Sequence, residues 1–280
     1  MLLAARNIAK SWLLVLLLAG VFALVGWLLD GVRGLSIFVF CALLLAAGAY
    51  WTFDRVAFGM IGARELPVGE APLLHSTVER LAARAGIMKP RLYLIADGLP
   101  IAAATGRGVR SSALAVSTGC IAACSPAELE GVLAHEISHV RLHDVQVQTA
   151  AAVAGAVLLE TSRIGGWFER ALLFVLGPIA SACVHLLVSP KREFSADRYA
   201  ATLCDSPHGL ADALLRLEQA AELVEFQGSP ASEPMFTINP FAENGLAALF
   251  VTHPPVAERV RRLRELDPTW RSRVQSEAAA

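Results

Sequence analysis

The chain has 280 residues, 24 of them Lys or Arg and 25 Asp or Glu, so there is no basic excess with which to displace counterions from phosphates. That excludes a nucleic-acid binder acting through bulk charge. Only 18% of residues are charged and 55% are hydrophobic, against about 25% charged in an ordinary soluble domain, which is too apolar for a wholly soluble protein. Five cysteines, at 41, 120, 124, 183 and 204, form no CxxC pair, and their odd number gives no disulfide framework. They read as thiols on the reducing side of a membrane.

In chain order, the run from Ser11 to Leu29 is free of charge, and a second apolar run extends from Gly34 to Phe53 after Asp30, Gly31, Val32 and Arg33. Each reaches the roughly 20 residues that cross a ~30 Å hydrocarbon layer, so residues 1–53 are expected to form a transmembrane hairpin. A cleaved signal peptide is the competing reading, since Arg6 and Lys10 precede the first run; but that run exceeds a usual signal core and LLDG offers no small-x-small cleavage site. Trp12, Trp27, Tyr50 and Trp51 lie near the ends of the runs, where amphipathic rings favour the interface.

Residues 54–146 and 190–273 then form one polar body, interrupted at 147–189 by two apolar arms, Val147 to Leu159 and Ala171 to Val188, which are expected to span as a second hairpin in preference to dipping in and returning or packing as buried core helices. Residues 274–280 read as a frayed tail. If both hairpins cross, Arg6, Lys10, Arg55, Arg64, Arg141, Lys191, Arg192 and Arg198 share one side against Arg33, Arg163 and Arg170. The positive-inside bias places the polar body in the cytoplasm.

Within that body, Leu74, Val78, Leu81, Ala82 and Ala85 recur at helical spacing from Pro72, and Gly86 stops the helix. Arg91 to Asp97 alternates as a strand, and Ala113 to Gly119 reads as another. PIAAATGRG between them reads as a turn-rich strip. Ser125 is a natural N-cap, Pro126 takes the first helical position and Glu128 completes a capping box, giving a helix through His143. Beyond Glu193 the pattern is helical to about Phe226, and Gln227 to Pro234 is a loop. A last amphipathic helix carries Val256, Val260, Leu263 and Leu266 on one face, with Arg259, Arg261, Arg262 and Arg264 around it as a solvated or headgroup-facing side. The fold class is mostly α with a small β-sheet.

The Ser125 helix contains HEISH. His135 and His139 lie about 40° apart on one helix face and one turn along, close enough to share one ion. Glu136 can reach a water on that ion, which a nitrogen-held zinc acidifies towards pH 7. At this chain's His and Glu content the pattern arises by chance only about 0.01 times. Catalytic zinc takes three protein ligands and keeps one place open. His143 is two turns from His135, too far along the axis, and the HExxHxxGxxH alternative fails at Leu142 and Val145. The best remaining donor is Glu193, with Asp197 one turn later on the same face to accept the second ring N–H of a ligating His. An exposed acidic pair satisfied by Lys191, Arg192 or Arg198 is equally compatible with the spacing.

LAHEISHVRLHD, an apolar hairpin, SPKREFSADRYA and LFVTHPPVAERVRRLREL, in that order, resemble the HtpX-type membrane zinc metalloproteases, relatives of the CAAX prenyl proteases. The resemblance covers nearly the whole chain. It implies a polytopic membrane protein with a cytosolic α+β zincin domain of the gluzincin kind. It also implies one Zn²⁺ per chain held by His135, His139 and Glu193, with Glu136 as catalytic base and Asp197 as the carboxylate behind a ligand. His253 and Arg259 are drawn into the site as oxyanion donor and orienting group. The implied activity is hydrolysis of peptide bonds in unfolded or misfolded membrane proteins, in quality control at the bacterial inner membrane, with the site on the cytoplasmic side. A narrow processing peptidase of the prenyl-protease type and a non-catalytic, metal-stabilised membrane scaffold are the alternatives. The chain departs from the family's N-A-F-A-T-G strip, having Ile101, Ala102, Ala103, Ala104, Thr105 and Gly106 instead. Backbone pairing of an extended substrate with an edge strand is expected to survive that change, whereas side-chain preference is open.

Overall fold

The computed structural model describes residues 61–152, 189–223, 235–239 and 252–268, together with 58–59, much of 20–44, and positions 178, 181 and 185. Most of the two hydrophobic hairpins therefore lies outside the described residues. Among those described, no helix is long and apolar enough to cross a membrane. Residues 26–41 nonetheless carry the reversal expected of the first hairpin. Gly26 and Gly34 would stand about 12 Å apart on one straight helix, yet a Cβ on either would overlap the other's carbonyl oxygen. The chain folds back between them at Gly31, whose φ of +53° suits a residue without a Cβ.

Four strands, β1 (Ala63–Glu65), β2 (Arg91–Ile95), β3 (Ala102–Gly108) and β4 (Ser111–Ser117), form one sheet in the order β1-β2-β4-β3. β2 and β4 are parallel and the other pairs antiparallel. The turn-rich strip is thus an edge strand. Its glycines produce a register shift between Gly106 and Gly108 instead of a turn, and the alanines before them, Ala102, Ala103 and Ala104, pair with Val116, Ala115 and Leu114. The strand expected from Ala113 to Gly119 stops at Ser117, whose Oγ accepts from Cys120 N at 2.9 Å and caps a short helix, α2 (Thr118–Ala123).

Side chains alternate across the sheet, and both faces are buried. Leu92, Ala102, Ala104, Leu114 and Val116 pack with Leu74, Val78 and Leu81 of α1 (Pro72–Ala85) and with Val132, Leu133, Ile137 and Val140 of α3 (Pro126–Arg141). Tyr93, Ala103, Ala113 and Ala115 face the other way, onto Phe58, Ala152, Met235 and Phe236. The described start of the second hydrophobic hairpin, residues 147–152, belongs to this body: Val147, Thr149, Ala151 and Ala152 are fully buried, and Thr149 Oγ1 meets Thr105 Oγ1 of β3 at 2.9 Å.

α3 begins as its sequence dictates. Ser125 N donates to Glu128 Oε2 at 2.6 Å, Glu128 N donates to Ser125 Oγ at 3.3 Å, and Pro126 opens the first turn. It ends at Arg141, two residues before the expected His143, because His143 adopts a left-handed φ of 61°; residues 144–152 are helical again. The helix expected from Glu193 onward is two helices, α4 (Pro190–Leu203) and α5 (His208–Leu223), parted at Asp205 (φ 56°), Ser206 and Pro207. α5 crosses α3 with backbones in contact: a Cβ on Gly131 would come 2.5 Å from Leu210 N.

The last helix, α6 (Val256–Glu265), buries Val256 and Leu263 against the core. Its arginines divide. Arg261 and Arg262 are half-exposed and pair with Glu258, as a solvated face should. Arg259 is completely buried and belongs to the site described next, because its guanidinium meets a buried carboxylate of α4.

Candidate metal centre

α3 presents His135 and His139 to α4, which returns Glu193 and Asp197 from successive turns. All four side chains are buried, as is Glu136. His135 Nε2 and His139 Nε2 lie 3.1 Å apart. Glu193 closes the triangle, with Oε2 3.4 Å from His135 Nε2 and Oε1 3.5 Å from His139 Nε2. These three residues form a group able to hold a metal ion.

Each imidazole is anchored from behind. His135 Nδ1 lies 3.0 Å from Asp197 Oδ1. His139 Nδ1 lies 3.2 Å from Asp144 Oδ2. A carboxylate stands ready to accept the Nδ1 proton in each case, an arrangement that would turn the Nε2 lone pair of each neutral imidazole to the space between the rings. Two converging lone pairs and a carboxylate repel one another unless a cation lies between them. The residues fit zinc: bonds of 2.0–2.1 Å in a tetrahedron place donor atoms about 3.3 Å apart, the spacing the three groups already hold. Glu193 Oε2 is moreover buried without a hydrogen-bond donor among the described residues, as an atom reserved for a metal would be.

The carboxylates are kept charged. Burial works against ionisation of Glu193, but the neighbouring His139 and His253 outweigh it and hold its carboxyl well below the usual range. Burial also opposes Asp197, and Arg259 overcomes it. Arg259 forks that carboxylate, donating Nε to Oδ2 at 2.9 Å and Nη2 to Oδ1 at 2.7 Å. Its remaining nitrogen, Nη1, donates to the carbonyl of Thr237 at 2.6 Å.

His135, Glu136, His139, Glu193, Asp197 and Arg259 are therefore brought together, and the exposed acidic pair that spacing also allowed is not what forms. His253 stands at the margin, its Nε2 3.7 Å from Glu193 Oε2. Two further residues belong here that sequence reasoning passed over. Asp144 follows the left-handed turn at His143; an acid soon after HExxH was the only signal available. Thr237 donates its hydroxyl to Glu136 Oε1 at 2.7 Å, and nothing in MFTINP marks it. The segment holding Thr237 also limits one expectation: Phe236 bridges Ala103 and Thr237 N donates to Ala102 O at 3.2 Å, so that end of the β3 edge is taken by the chain itself.

A helix bearing HExxH, packed on a second helix that adds a carboxylate, with an acid behind each imidazole, defines a metallopeptidase. The sequence pattern of peptidase family M48 matches residues 69–267, and the chain belongs to that family. A "Protease HtpX homolog" of Persephonella marina is 39% identical over 92% of this chain and 96% of its own. One of Pyrococcus furiosus is 38% identical over 92% of this chain and 95% of its own. Among solved structures, S. mikatae Ste24p superposes with a TM-score of 0.47 at 21% identity, over 94% of this chain and 66% of that one.

Proposed function

We propose that this protein is a zinc-dependent endopeptidase of the bacterial inner membrane, with one Zn²⁺ per chain held by His135, His139 and Glu193. The observation that carries the reading is the triangle of 3.1, 3.4 and 3.5 Å between the two Nε2 atoms and the Glu193 oxygens. Bound there, zinc polarises a peptide carbonyl and lowers the pKa of water to the neutral range. The chain's own residues supply the rest. Glu136 takes the proton of the attacking water and delivers it to the leaving amine, so no acyl-enzyme forms. His253 donates to the oxygen that becomes negative in the transition state. Asp197 and Asp144 hold the imidazoles in the ligating tautomer, and Arg259 holds Asp197.

Membrane anchorage is supported by the reversal at Gly26 and Gly34, around which Trp27, Leu28, Leu29, Phe40, Leu43 and Leu44 all point outward. Exposed apolar surface of that extent calls for lipid or a partner. The eight basic flanking residues against three favour a cytoplasmic site. In that setting the substrates are unfolded or misfolded membrane proteins, and the role is quality control.

The test uses the full chain purified in detergent, with metal analysis and casein hydrolysis measured beside a chelator and beside Glu136→Gln. Both treatments abolish hydrolysis on this reading, while the Gln variant keeps its metal. Hydrolysis indifferent to both would eliminate the mechanism.

A further inference from the structure

We infer that Thr237 is a positioning residue for the carboxylate of Glu136, an inference that rests on the metallopeptidase reading above. Thr237 is 1% exposed and uses every polar group it has. Its amide donates to Ala102 O at 3.2 Å, its carbonyl accepts from Arg259 Nη1 at 2.6 Å, and its hydroxyl donates to Glu136 Oε1 at 2.7 Å. The backbone is thus fixed by the sheet edge on one side and by a buried guanidinium on the other. A β-branched side chain is also stiff at χ1. The hydroxyl is aimed by two elements that come from distant parts of the sequence.

Glu136 needs such a partner. A glutamate loses much rotamer freedom when it is held in one pose, and a base must be held in one pose to meet the proton it takes. The Thr237 hydroxyl occupies Oε1. Oε2 makes no hydrogen bond to a described residue and is the oxygen left to accept a proton. Packing does not explain the residue. Valine has the same shape and would fill the same buried space without the hydroxyl. What threonine adds is one donor at the place where the base requires one. Arg259 extends the logic: the same guanidinium that holds the Thr237 carbonyl holds Asp197 behind His135, so one side chain sets the base and a metal ligand in register.

The test compares Thr237→Val, which keeps the shape and removes the donor, with Thr237→Ser, which keeps the donor. kcat and KM on casein, metal content and melting temperature are measured on the full chain in detergent. The Val variant is expected to lose roughly ten- to hundredfold in kcat, the range carried by a hydrogen bond to a charged group. KM and metal content should stay at wild-type values, melting temperature should fall by no more than a few degrees, and the Ser variant should recover most of the rate. Wild-type kcat in the Val variant, or a Ser variant as slow as Val, overturns the assignment. So does loss of metal alongside rate, which would make the residue merely structural. A Val variant faster than wild type would show instead that residues 235–239 obstruct the cleft. Failure of the metallopeptidase reading is separate, since it appears in the wild type as hydrolysis untouched by chelator, and it takes this inference with it.

Discussion

The two imidazoles of the centre receive the same support by different means. Behind His135, Asp197 is gripped by both arms of Arg259 at 2.9 and 2.7 Å, all of it buried between α4 and α6. Behind His139, Asp144 faces Arg192 at 3.7 Å, and the buried nitrogens of that guanidinium make no hydrogen bond among the described residues. The first arm is locked by two helices of the body. The second hangs on a left-handed turn at His143 and on the helical residues 144–152, which lead into the second apolar segment. One ligand is thus set by the core, whereas the other is set where the body runs into the second apolar segment.

The largest effect expected from this asymmetry is on Arg259. Arg259→Met leaves Asp197 charged, buried and unpaired, and should cost about 3–5 kcal/mol in denaturant unfolding. A loss under about 1 kcal/mol would mean that the fork does not hold the first arm. Next, Asp144→Asn should weaken metal binding about ten- to hundredfold in chelator competition while leaving the unfolding midpoint close to wild type. Unchanged affinity would show that the second arm has no supporting acid.

A third effect is on pH dependence. In metal-free protein, burial is the largest influence on His139 and opposes its protonation, but Glu193 and Asp144 outweigh it and push the imidazole up to about 10. A folded value above the unfolded one of about 6.5 stabilises fully below that pH, and the contribution fades as pH rises through about 10. Metal displaces this proton, so the saturated protein should lack the trend. Equal stability of the metal-free form across that window would remove the charged His139 from the second arm.

The site was readable where its residues share a local rule. HEISH sits on a helix whose capping box fixes its start, and Glu193 and Asp197 repeat at one turn, so the sequence alone proposed five side chains that do converge. Arg259 was half-read: its place in an arginine run argued for solvent, and only the buried carboxylate of α4 explains why it turns inward. Asp144 and Thr237 were not readable, because each depends on a backbone detail without a sequence signature, a left-handed histidine in one case and a bridge to the sheet edge in the other. In the fold, the capped helices came through and β3 did not. Glycines that bend a strand and glycines that make a turn look alike until the neighbouring strand is known.

His135, Glu136, His139 and Glu193 are each no more than 2% exposed. Ion, water and substrate alike would reach residues so enclosed through transient opening of the elements packed around them. Exchange of the metal would then be a clock for breathing of the fold, and a chain that had lost its ion would report a past excursion from the native state.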